Sequence, residues 1–257
     1  MYKPFQKHLE EEIHRRFDLQ PMPLPDDLER QVSERGKNSA TIQSWCYSCS
    51  QLRKLRYTYI DGGTAIQVFN SVIYPSHHYD IPLLGIDLLS FNRRRNVVVI
   101  DFQPLFRDAD YQAKYIEPMR KMYESFDDLA QNLGMKFYDA NQYFSKYLIF
   151  AKAEADIVPT RVMEAFKVYV NKYFLMLEEA TPLTEPSDIQ RIVQAQKDYD
   201  QYSAERDPAH GLFSSYFGHE WAERFLYEFL FEDARPVETT VGRRRSYAIS
   251  YRSATGH

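Results

Sequence analysis

Apolar residues recur along this chain with two different spacings, and the change in spacing separates a strand-rich block from the helices around it. Residues 3–17 have the helical spacing, with one apolar residue per turn on the same face: Phe5, Leu9, Ile13 and Phe17. A proline-rich connection follows over residues 21–25. The chain is therefore expected to begin with an amphipathic helix.

Four apolar segments then predict neighbouring strands, over residues 55–60, 64–74, 83–91 and 96–105. Asp61-Gly62-Gly63 separates the first pair and residues 92–95 separate the second, and both are short polar sequences typical of hairpin turns. Hairpins join strands of opposite direction, so the block predicts an antiparallel meander. Because these strands are apolar on both faces, we expect helices on both sides of the sheet.

The second half of the chain returns to the helical spacing. Residues 109–133 predict a long amphipathic segment that is interrupted near Pro118 and ends before Gly134, whereas residues 143–153 fit either a strand or a helix. Further helices are predicted over 160–179, from a capping box at 187–190 to about residue 204, and over 219–231. The absence of βαβ alternation indicates an α+β fold, and we expect a three-layer α/β/α sandwich with a central antiparallel sheet over residues 1–233.

Composition narrows the possible chemistry. Aromatic residues make up 15% of the chain, whereas only 9 of its 257 residues are glycine. No G-x-G-x-x-G or G-x-x-x-x-G-K-[ST] sequence occurs, which argues against nucleotide chemistry. The many rings fit either an aromatic core or a pocket for a large, flat ligand, and composition leaves both open.

Charge is distributed unevenly between the body of the chain and residues 234–257. Five arginines and one glutamate give this last segment a net charge of +4, which leaves −8 on the body of a chain whose total is −4. An acidic body argues against nucleic acid as a partner. The basic segment lacks apolar periodicity, and we expect a disordered tail. No apolar run is long enough to span a membrane and the first residues do not resemble a secretory signal, so we expect a cytoplasmic protein.

Asp87 is the strongest candidate for acid–base chemistry, because it lies within the apolar run LLGIDLLSF. Burial raises the pKa of a carboxyl group until it holds a proton near neutral pH, and such a group can serve as a general acid. The alternative is a structural aspartate at a strand end, bonded to an arginine. Asp101, in VVVIDFQPL, raises the same question.

Three further features are open to a structural and a functional interpretation. Asp207 precedes Pro208, which is typical of a helix start and also compatible with catalysis. Asn70 is a polar residue in an apolar strand and can bond either a ligand or the backbone. Cys46 and Cys49 have C-x-x-C spacing without further ligands, so we expect ordinary thiols. We predict no metal site, since His210 and His219 lack an H-E-x-x-H frame.

Several segments, taken in order, resemble the ferredoxin-dependent bilin reductases: QVFNSVIYPSHHYDIPLLGIDLL, VIDFQPL, NQYFSKYLIF and YSAERDPAHGLFSSYFGHEWAERFLYEFLF. The resemblance implies an α/β/α sandwich with a bilin pocket between sheet and helices. It also implies an oxidoreductase without bound metal or flavin, which takes single electrons from reduced ferredoxin. The activity it implies is the two-electron reduction of biliverdin IXα at C15=C16 to 15,16-dihydrobiliverdin, a step in phycobilin biosynthesis.

The resemblance also assigns site residues. The family's central-strand aspartate, a proton donor in the pocket, falls on Asp87, and its aspartate in a D-P-x-x-G turn falls on Asp207. Asn70 stands where members that make phycocyanobilin have histidine, and Thr58 stands where those members have a glutamate used in vinyl reduction. These departures favour reduction at the methine bridge. We expect Asp87 to protonate that bridge, Asp207 to support it or supply the second proton, and Asn70 to orient Asp87 or a pyrrole.

Partners follow from the same resemblance. An acidic ferredoxin needs a local basic patch on an acidic enzyme, and some of the same cations can hold the bilin propionates. The candidates are Arg53, Lys54, Arg56, the turn at 93–95, Lys146 and Lys152. We assign Lys146, with Asn70, to substrate binding. We expect a monomer whose product can pass to a following bilin reductase.

Two other functions remain open from the sequence. One is a four-electron reductase that continues to phycoerythrobilin, because such an enzyme can also use an asparagine and two aspartates. The other is a bilin carrier that binds the pigment without reducing it. Asp87 within an apolar strand favours the enzyme, since binding alone gains little from a buried acid.

Overall fold

The computed structural model describes residues 1–35, 38–130, 138–139 and 141–234, and an antiparallel sheet of eight strands lies at its centre. The strands are β1 (Gln20–Pro21), β2 (Arg30–Arg35), β3 (Asn38–Ser48), β4 (Leu52–Asp61), β5 (Ile66–Pro75), β6 (Leu83–Phe91), β7 (Arg95–Gln103) and β8 (Ile149–Ala153). Their order across the sheet is β1-β3-β4-β5-β6-β7-β8, and β2 also pairs with β3. The pairings are all antiparallel.

Eight α-helices accompany the sheet in the described ranges. They are α1 (Lys3–Arg16), α2 (Asp26–Glu29), α3 (Ala109–Tyr111), α4 (Arg120–Glu124), α5 (Met163–Glu178), α6 (Pro186–Arg206), α7 (Ala209–Phe217) and α8 (His219–Arg224). Wider π-type turns extend three of them, over Gln112–Ile116, Val158–Val162 and Phe225–Leu230. No helix in this part of the chain is long and apolar enough to cross a membrane.

The predicted meander is confirmed as β4 to β7, in which each strand pairs with the next. The turn after β4 contains Gly63 with φ of +66°, and the turn after β6 contains Asn92 and Arg93 with φ of 52° and 54°. Short hairpin turns need such left-handed backbone, which explains the Gly-Gly and Asn signals in the sequence.

Strands β1 to β3 were not predicted. In β3 the buried positions are Ala40, Ile42, Ser44 and Cys46, which alternate with more exposed residues. This strand therefore buries one narrow face of mostly small side chains. The difference in hydrophobicity between its buried and its exposed positions is small, so the alternation that predicts a strand is weak here.

Helices α1 and α5 cover one face of the sheet. The rings of Phe5 in α1 and Phe166 in α5 lie 5.1 Å apart, and Phe166 lies 6.3 Å from Phe69 of β5. Phe102 of β7 packs edge-on against Tyr173 of α5 at 5.3 Å. The predicted helices over 3–17 and 160–179 are confirmed, and aromatic rings form most of this layer.

Helix α6 and the turn Phe225–Leu230 cover the opposite face. From β5, the Tyr74 hydroxyl donates to Asp200 of α6 at 2.9 Å, and from β4, Lys54 donates to the Phe229 carbonyl at 2.7 Å. Helices on both faces make a three-layer α/β/α arrangement. The predicted fold class is therefore confirmed, and this second interlayer space is unusually polar.

Two helix predictions differ from the structure in part. Within the described residues 109–130, the segment predicted over 109–133 forms short helical turns rather than longer helices, and the predicted interruption near Pro118 is present, because proline lacks the N–H that a continuous helix needs. The capping box at 187–190 is not formed. Helix α6 begins one residue earlier, at Pro186, since proline suits the first helical position.

Other predictions are resolved or lie beyond the described ranges. The open segment 143–153 contains strand β8, and the last predicted helix is divided between α8 and the turn after it. The predicted helix end at Gly134 lies outside the described residues. Ala234 is still buried against the fold, and the rest of the predicted tail, 235–257, lies outside the described ranges.

Candidate active site

Asp87 lies in the middle of β6, directly across from Asn70 on β5 and Val99 on β7. The Asn70 amide nitrogen donates to Asp87 Oδ1 at 3.3 Å. The pKa of Asp87 is raised to about 7, chiefly by burial and also by the charge of Asp207, while the Asn70 hydrogen bond and Arg56 oppose the rise. A carboxyl group whose pKa is raised in this way can hold a proton near neutral pH, as a general acid requires.

Asp207 joins α6 to α7, and its carboxyl accepts a hydrogen bond from the Ala209 N–H at 2.7 Å. The Asp207 side chain therefore bonds the first residue of α7, but the predicted N-cap position is wrong by one residue, since Pro208 directly precedes the helix. Burial raises the pKa of Asp207, while the Ala209 N–H, Arg56 and His210 lower it. Because the charge of Asp207 raises the pKa of Asp87, the fold has brought the two predicted acids into one site.

Arg56, from β4, was predicted only as a cation for docking or for a propionate, and the structure places it beside the candidate acids instead. Its side chain is 1% exposed, Nη1 donates to Asn70 Oδ1 at 2.7 Å, and Nε donates to the Leu230 carbonyl at 3.0 Å. Arg56, Asn70 and Asp87 therefore form one hydrogen-bonded row across three adjacent strands. An arginine inside the strand LRYTYI was the available signal, since a buried cation must find partners.

An aromatic side chain, Tyr138, lies near the two acids, and further rings pack around it. Burial raises the pKa of Tyr138, and the charges of Asp207 and Asp87 both add to that rise, which places its ring beside the pair. Tyr138 packs against Phe144 at 5.5 Å and against Tyr202 at 6.1 Å, and Tyr202 contacts Tyr143 at 5.1 Å. The high aromatic content thus serves both the core and this site.

Among the described residues, no interaction links Lys146 to Asp87 or Asp207. Its ammonium is exposed and pairs with Glu117, whereas its neighbours Ser145 and Tyr147 are buried. The predicted role of Lys146 in substrate binding therefore stays a prediction.

The prediction that Lys54 and Arg56 help to dock ferredoxin is wrong. Lys54 and Arg56 are 2% and 1% exposed, because both point from β4 toward the turn Phe225–Leu230 and donate to its carbonyls. Arg53 is partly buried and bonds Asp233 and Gln196. The turn at 93–95 is exposed, as is Lys152.

Asp101 has a structural position. Its two carboxyl oxygens accept hydrogen bonds from the Ser145 hydroxyl at 2.5 Å and from the Ser145 N–H at 2.8 Å. Burial raises the pKa of Asp101 to about 7, and these hydrogen bonds oppose the rise. Asp101 thereby fixes the loop that carries Tyr143 and Phe144 to β7.

The thiols and one group of possible metal ligands complete the residues that the sequence singled out. Cys46 and Cys49 are free, and burial raises the pKa of both, which makes them poor nucleophiles. Within the described ranges, one group has metal-ligand spacing: the ligating atoms of His210, His219 and Glu223 all lie within 4.8 Å of one another. The prediction of no metal site is untested.

Comparison with known proteins agrees with this geometry. The model of the ferredoxin-dependent bilin reductase family matches residues 6–232. A 15,16-dihydrobiliverdin:ferredoxin oxidoreductase of Nostoc punctiforme is 65% identical over 244 residues, which cover 95% of this chain and all of that protein. One from Gloeobacter violaceus is 63% identical over 92% of this chain and 97% of its own length.

A second branch of the family is more distant. The phycoerythrobilin:ferredoxin oxidoreductase of Nostoc punctiforme is 34% identical over 92% of this chain and 95% of its own length. Among solved structures, tomato phytochromobilin synthase in complex with biliverdin superposes with a TM-score of 0.83, at 23% identity over 91% of this chain and 83% of that one. This likeness shows the fold. With the family match over nearly all described residues, it follows that the chain belongs to the ferredoxin-dependent bilin reductases.

Proposed function

We propose that this protein reduces biliverdin by two electrons at C15=C16, with reduced ferredoxin as the donor, and releases 15,16-dihydrobiliverdin. The observation that carries the proposal is the pair of partly buried acids, Asp87 and Asp207, whose pKa values are both raised by burial, on the polar face of a bilin reductase fold. Two relatives named for dihydrobiliverdin are 63–65% identical, whereas one named for phycoerythrobilin is 34% identical. We assign residues 1–233 to the reductase and 234–257 to a basic tail.

The chemistry needs protons at defined places. Two ferredoxins each give up one electron, and two protons join the bilin, so that the C15=C16 π bond is replaced by two C–H bonds. Each added electron makes the tetrapyrrole more basic, and a positioned acid must then protonate the chosen carbon. An ordinary aspartate is ionised at neutral pH, whereas Asp87, with its pKa raised to about 7 by burial, still holds a proton for this step.

The roles of the two acids follow from their surroundings. Asp87 is the proposed donor to the methine bridge, since it lies centrally on the sheet and is held by Asn70. Once it has given up its proton, the carboxylate retains the Asn70 hydrogen bond. Asp207 is anchored by a backbone N–H and is proposed to supply the second proton. Thr58 is bonded to Ser44 at 3.1 Å, so this position offers no acid for vinyl reduction.

Two cationic regions are proposed to serve the partners. Lys146 can exchange Glu117 for a bilin propionate, because both acceptors are carboxylates at the surface. The exposed arginines at 93–95 follow β6, the strand that carries Asp87, and provide positive charge on an acidic body. We propose that ferredoxin docks at this turn.

The deciding experiment is an anaerobic assay of biliverdin with reduced ferredoxin, followed by absorbance and chromatography. We expect dihydrobiliverdin to accumulate as the end product, with Asp87→Asn as the inactive control. Continued reduction to phycoerythrobilin would replace the proposal with the four-electron alternative. Tight binding of biliverdin without any reduction would instead identify a carrier.

A further inference from the structure

Arg56 carries a positive charge that is buried without a direct carboxylate partner among the described residues. Its contacts are the Asn70 side-chain oxygen at 2.7 Å, the Leu230 carbonyl at 3.0 Å and the ring of Phe231, whose centroid is 5.3 Å from the guanidinium carbon. Burying an arginine against neutral oxygens is costly, and sequences rarely retain such an arrangement for stability alone. The negative charges that compensate it are Asp87 and Asp207, one contact further away.

The contact with Asn70 determines how its amide is oriented. A guanidinium has only donors, so the amide must turn its oxygen toward Arg56. The amide nitrogen then faces Asp87 and donates to Oδ1 at 3.3 Å. An asparagine alone could present either end to the carboxyl group, whereas Arg56 leaves only the N–H end.

This orientation has a consequence for the proton of Asp87. Oδ1 already accepts an N–H, and a proton on that oxygen would point at a donor. The proton of the neutral acid is therefore confined to Oδ2, the oxygen that Asn70 does not occupy. A general acid whose proton stays on one oxygen delivers it in one direction.

We propose that Arg56 is a positioning residue for proton transfer: it locks the Asn70 amide so that Asp87 carries its proton on Oδ2, and it stabilises the carboxylate left after the transfer. The inference rests on the proposed role of Asp87 as the proton donor. The charged and titratable groups that face Asp87 are Arg56 from β4, Asp207 from the α6–α7 junction, Tyr138 and, from the start of α1, Tyr2.

Lys54 provides a matched control. It lies two residues away on the same face of β4, is equally buried, and donates to the Phe229 carbonyl at 2.7 Å, just as Arg56 donates to Leu230. Its charge pairs with Glu232 at 3.2 Å rather than with the row of Asn70 and Asp87. Lys54→Gln therefore removes a buried cation and a bond to the same turn, but leaves the Asn70 amide locked.

The test compares kcat and KM of Arg56→Gln, Arg56→Lys, Lys54→Gln and Asp87→Asn, with saturating reduced ferredoxin, from about pH 5.5 to about pH 9. In Arg56→Gln we expect kcat to fall roughly tenfold with KM for biliverdin within about threefold, and the alkaline limb of kcat to move up by roughly half a pH unit or more. The limb moves up because the cation that lowers the pKa of Asp87 is gone. In Arg56→Lys the alkaline limb of kcat should lie near its position in the unmodified protein, because the charge is kept. Lys54→Gln should not move it.

The other outcomes are distinguishable. An unmoved limb in Arg56→Gln, or an equal shift in Lys54→Gln, would overturn the role of Arg56 while an inactive Asp87→Asn still supports the proposed function. Full turnover in Asp87→Asn would overturn the donor itself. If Arg56→Gln does not fold, Arg56→Lys decides the question: it keeps the charge and loses the two-pronged geometry, so kcat should fall without a shift of the limb, and an unchanged kcat would refute the lock.

Discussion

Asn70 and Asp87 face each other directly across β5 and β6, and the amide of one donates to the carboxyl of the other. Strand register creates this pair, because a slip of β6 by one residue would turn Asp87 to the opposite face of the sheet while Asn70 stayed in place. On that opposite face Asp87 would meet the aromatic layer of α1 and α5 instead of Asn70 and the second acid. The chemistry of the site therefore depends on the pairing of two strands whose hairpin-like connection spans only residues 76–82.

Replacing Asp87 with asparagine should abolish turnover with little loss of binding. The two side chains have the same shape, but the amide has no transferable proton at neutral pH. We expect kcat to fall by roughly a hundredfold or more and the Kd for biliverdin to change by less than about threefold. Absorbance titration of the bilin and anaerobic kinetics measure the two quantities. A comparable loss of binding would show that Asp87 positions the substrate instead.

Asp101 should make the protein less stable as the pH rises through the acid range. Burial raises its pKa from 3.8 to about 7 in the folded state, so the folded state binds more protons than the unfolded chain between those values. Stability is then lost as pH increases from about 4 to about 7. Asp101→Asn should remove this part of the dependence, and the difference in Tm between the two proteins, measured across that range, isolates it. A constant difference in Tm would contradict the prediction.

Gly85→Ala should disturb the contact between β7 and α6. A Cβ at Gly85 would lie 2.8 Å from the Gln103 side chain, whose oxygen accepts the Tyr199 hydroxyl at 2.7 Å. We expect a loss of about 1–3 kcal/mol in the free energy of unfolding, because the Gln103 amide must move in a tightly packed layer. Tyr199→Phe removes only the hydrogen bond and serves as the control. Additive losses in the double variant would show that the two residues act independently.

Reversing the charge of the turn after β6 should weaken the use of ferredoxin. Arg94→Glu and Arg95→Glu place negative charge where an acidic donor is proposed to dock, so KM for ferredoxin should rise several-fold at low ionic strength. The effect should shrink as salt is added. Lys7→Glu, on the exposed face of α1, provides the same charge change on another element. Equal effects from both substitutions would point to net charge rather than a docking site.

Lys146→Gln tests the proposed contact with a propionate. Loss of one charge-assisted hydrogen bond should raise KM for biliverdin by roughly tenfold and leave kcat nearly unchanged. Lys114→Gln is the comparison, because Lys114 is similarly exposed and paired with a carboxylate, Asp80. An unchanged KM in Lys146→Gln would contradict the contact with a propionate and leave Glu117 as the partner of Lys146.

The sequence was informative wherever a residue differed from its neighbours. Asp87 could be recognised because a carboxyl group among leucines and isoleucines is costly to bury unless it is paired or protonated. Asp207 was recognised for the turn that surrounds it. Arg56 was predicted as a docking or propionate cation rather than as a partner of Asn70, because LRKLRYTYI mixes cations with apolar residues, which is usual for a strand with one solvated face.

The face that Arg56 occupies is buried by residues far away in the chain. Leu230 lies 174 positions after Arg56, and periodicity within a strand contains no information about such a partner. The same limit applies to the boundaries of the helices, since π-type turns and the proline breaks in 109–124 arise from packing as much as from local preference. The fold class, the two candidate acids and a role for Asn70 beside Asp87 could thus be predicted, whereas the contact of Arg56 with Asn70 could not.

The anchoring of the turn Phe225–Leu230 by Lys54 and Arg56 also bears on how the chain folds. Strand β4 leaves the ribosome long before the carbonyls that its two cations bind, and until then these side chains must stay hydrated. The sheet can pair early through its hairpins, but this face cannot close until the chain reaches Leu230. Contacts of such long range are formed slowly. The region around Asp207 is therefore expected to be assembled in the last stage of folding, and a ribosome that stops short of residue 230 would release a chain with two uncovered cations in its sheet.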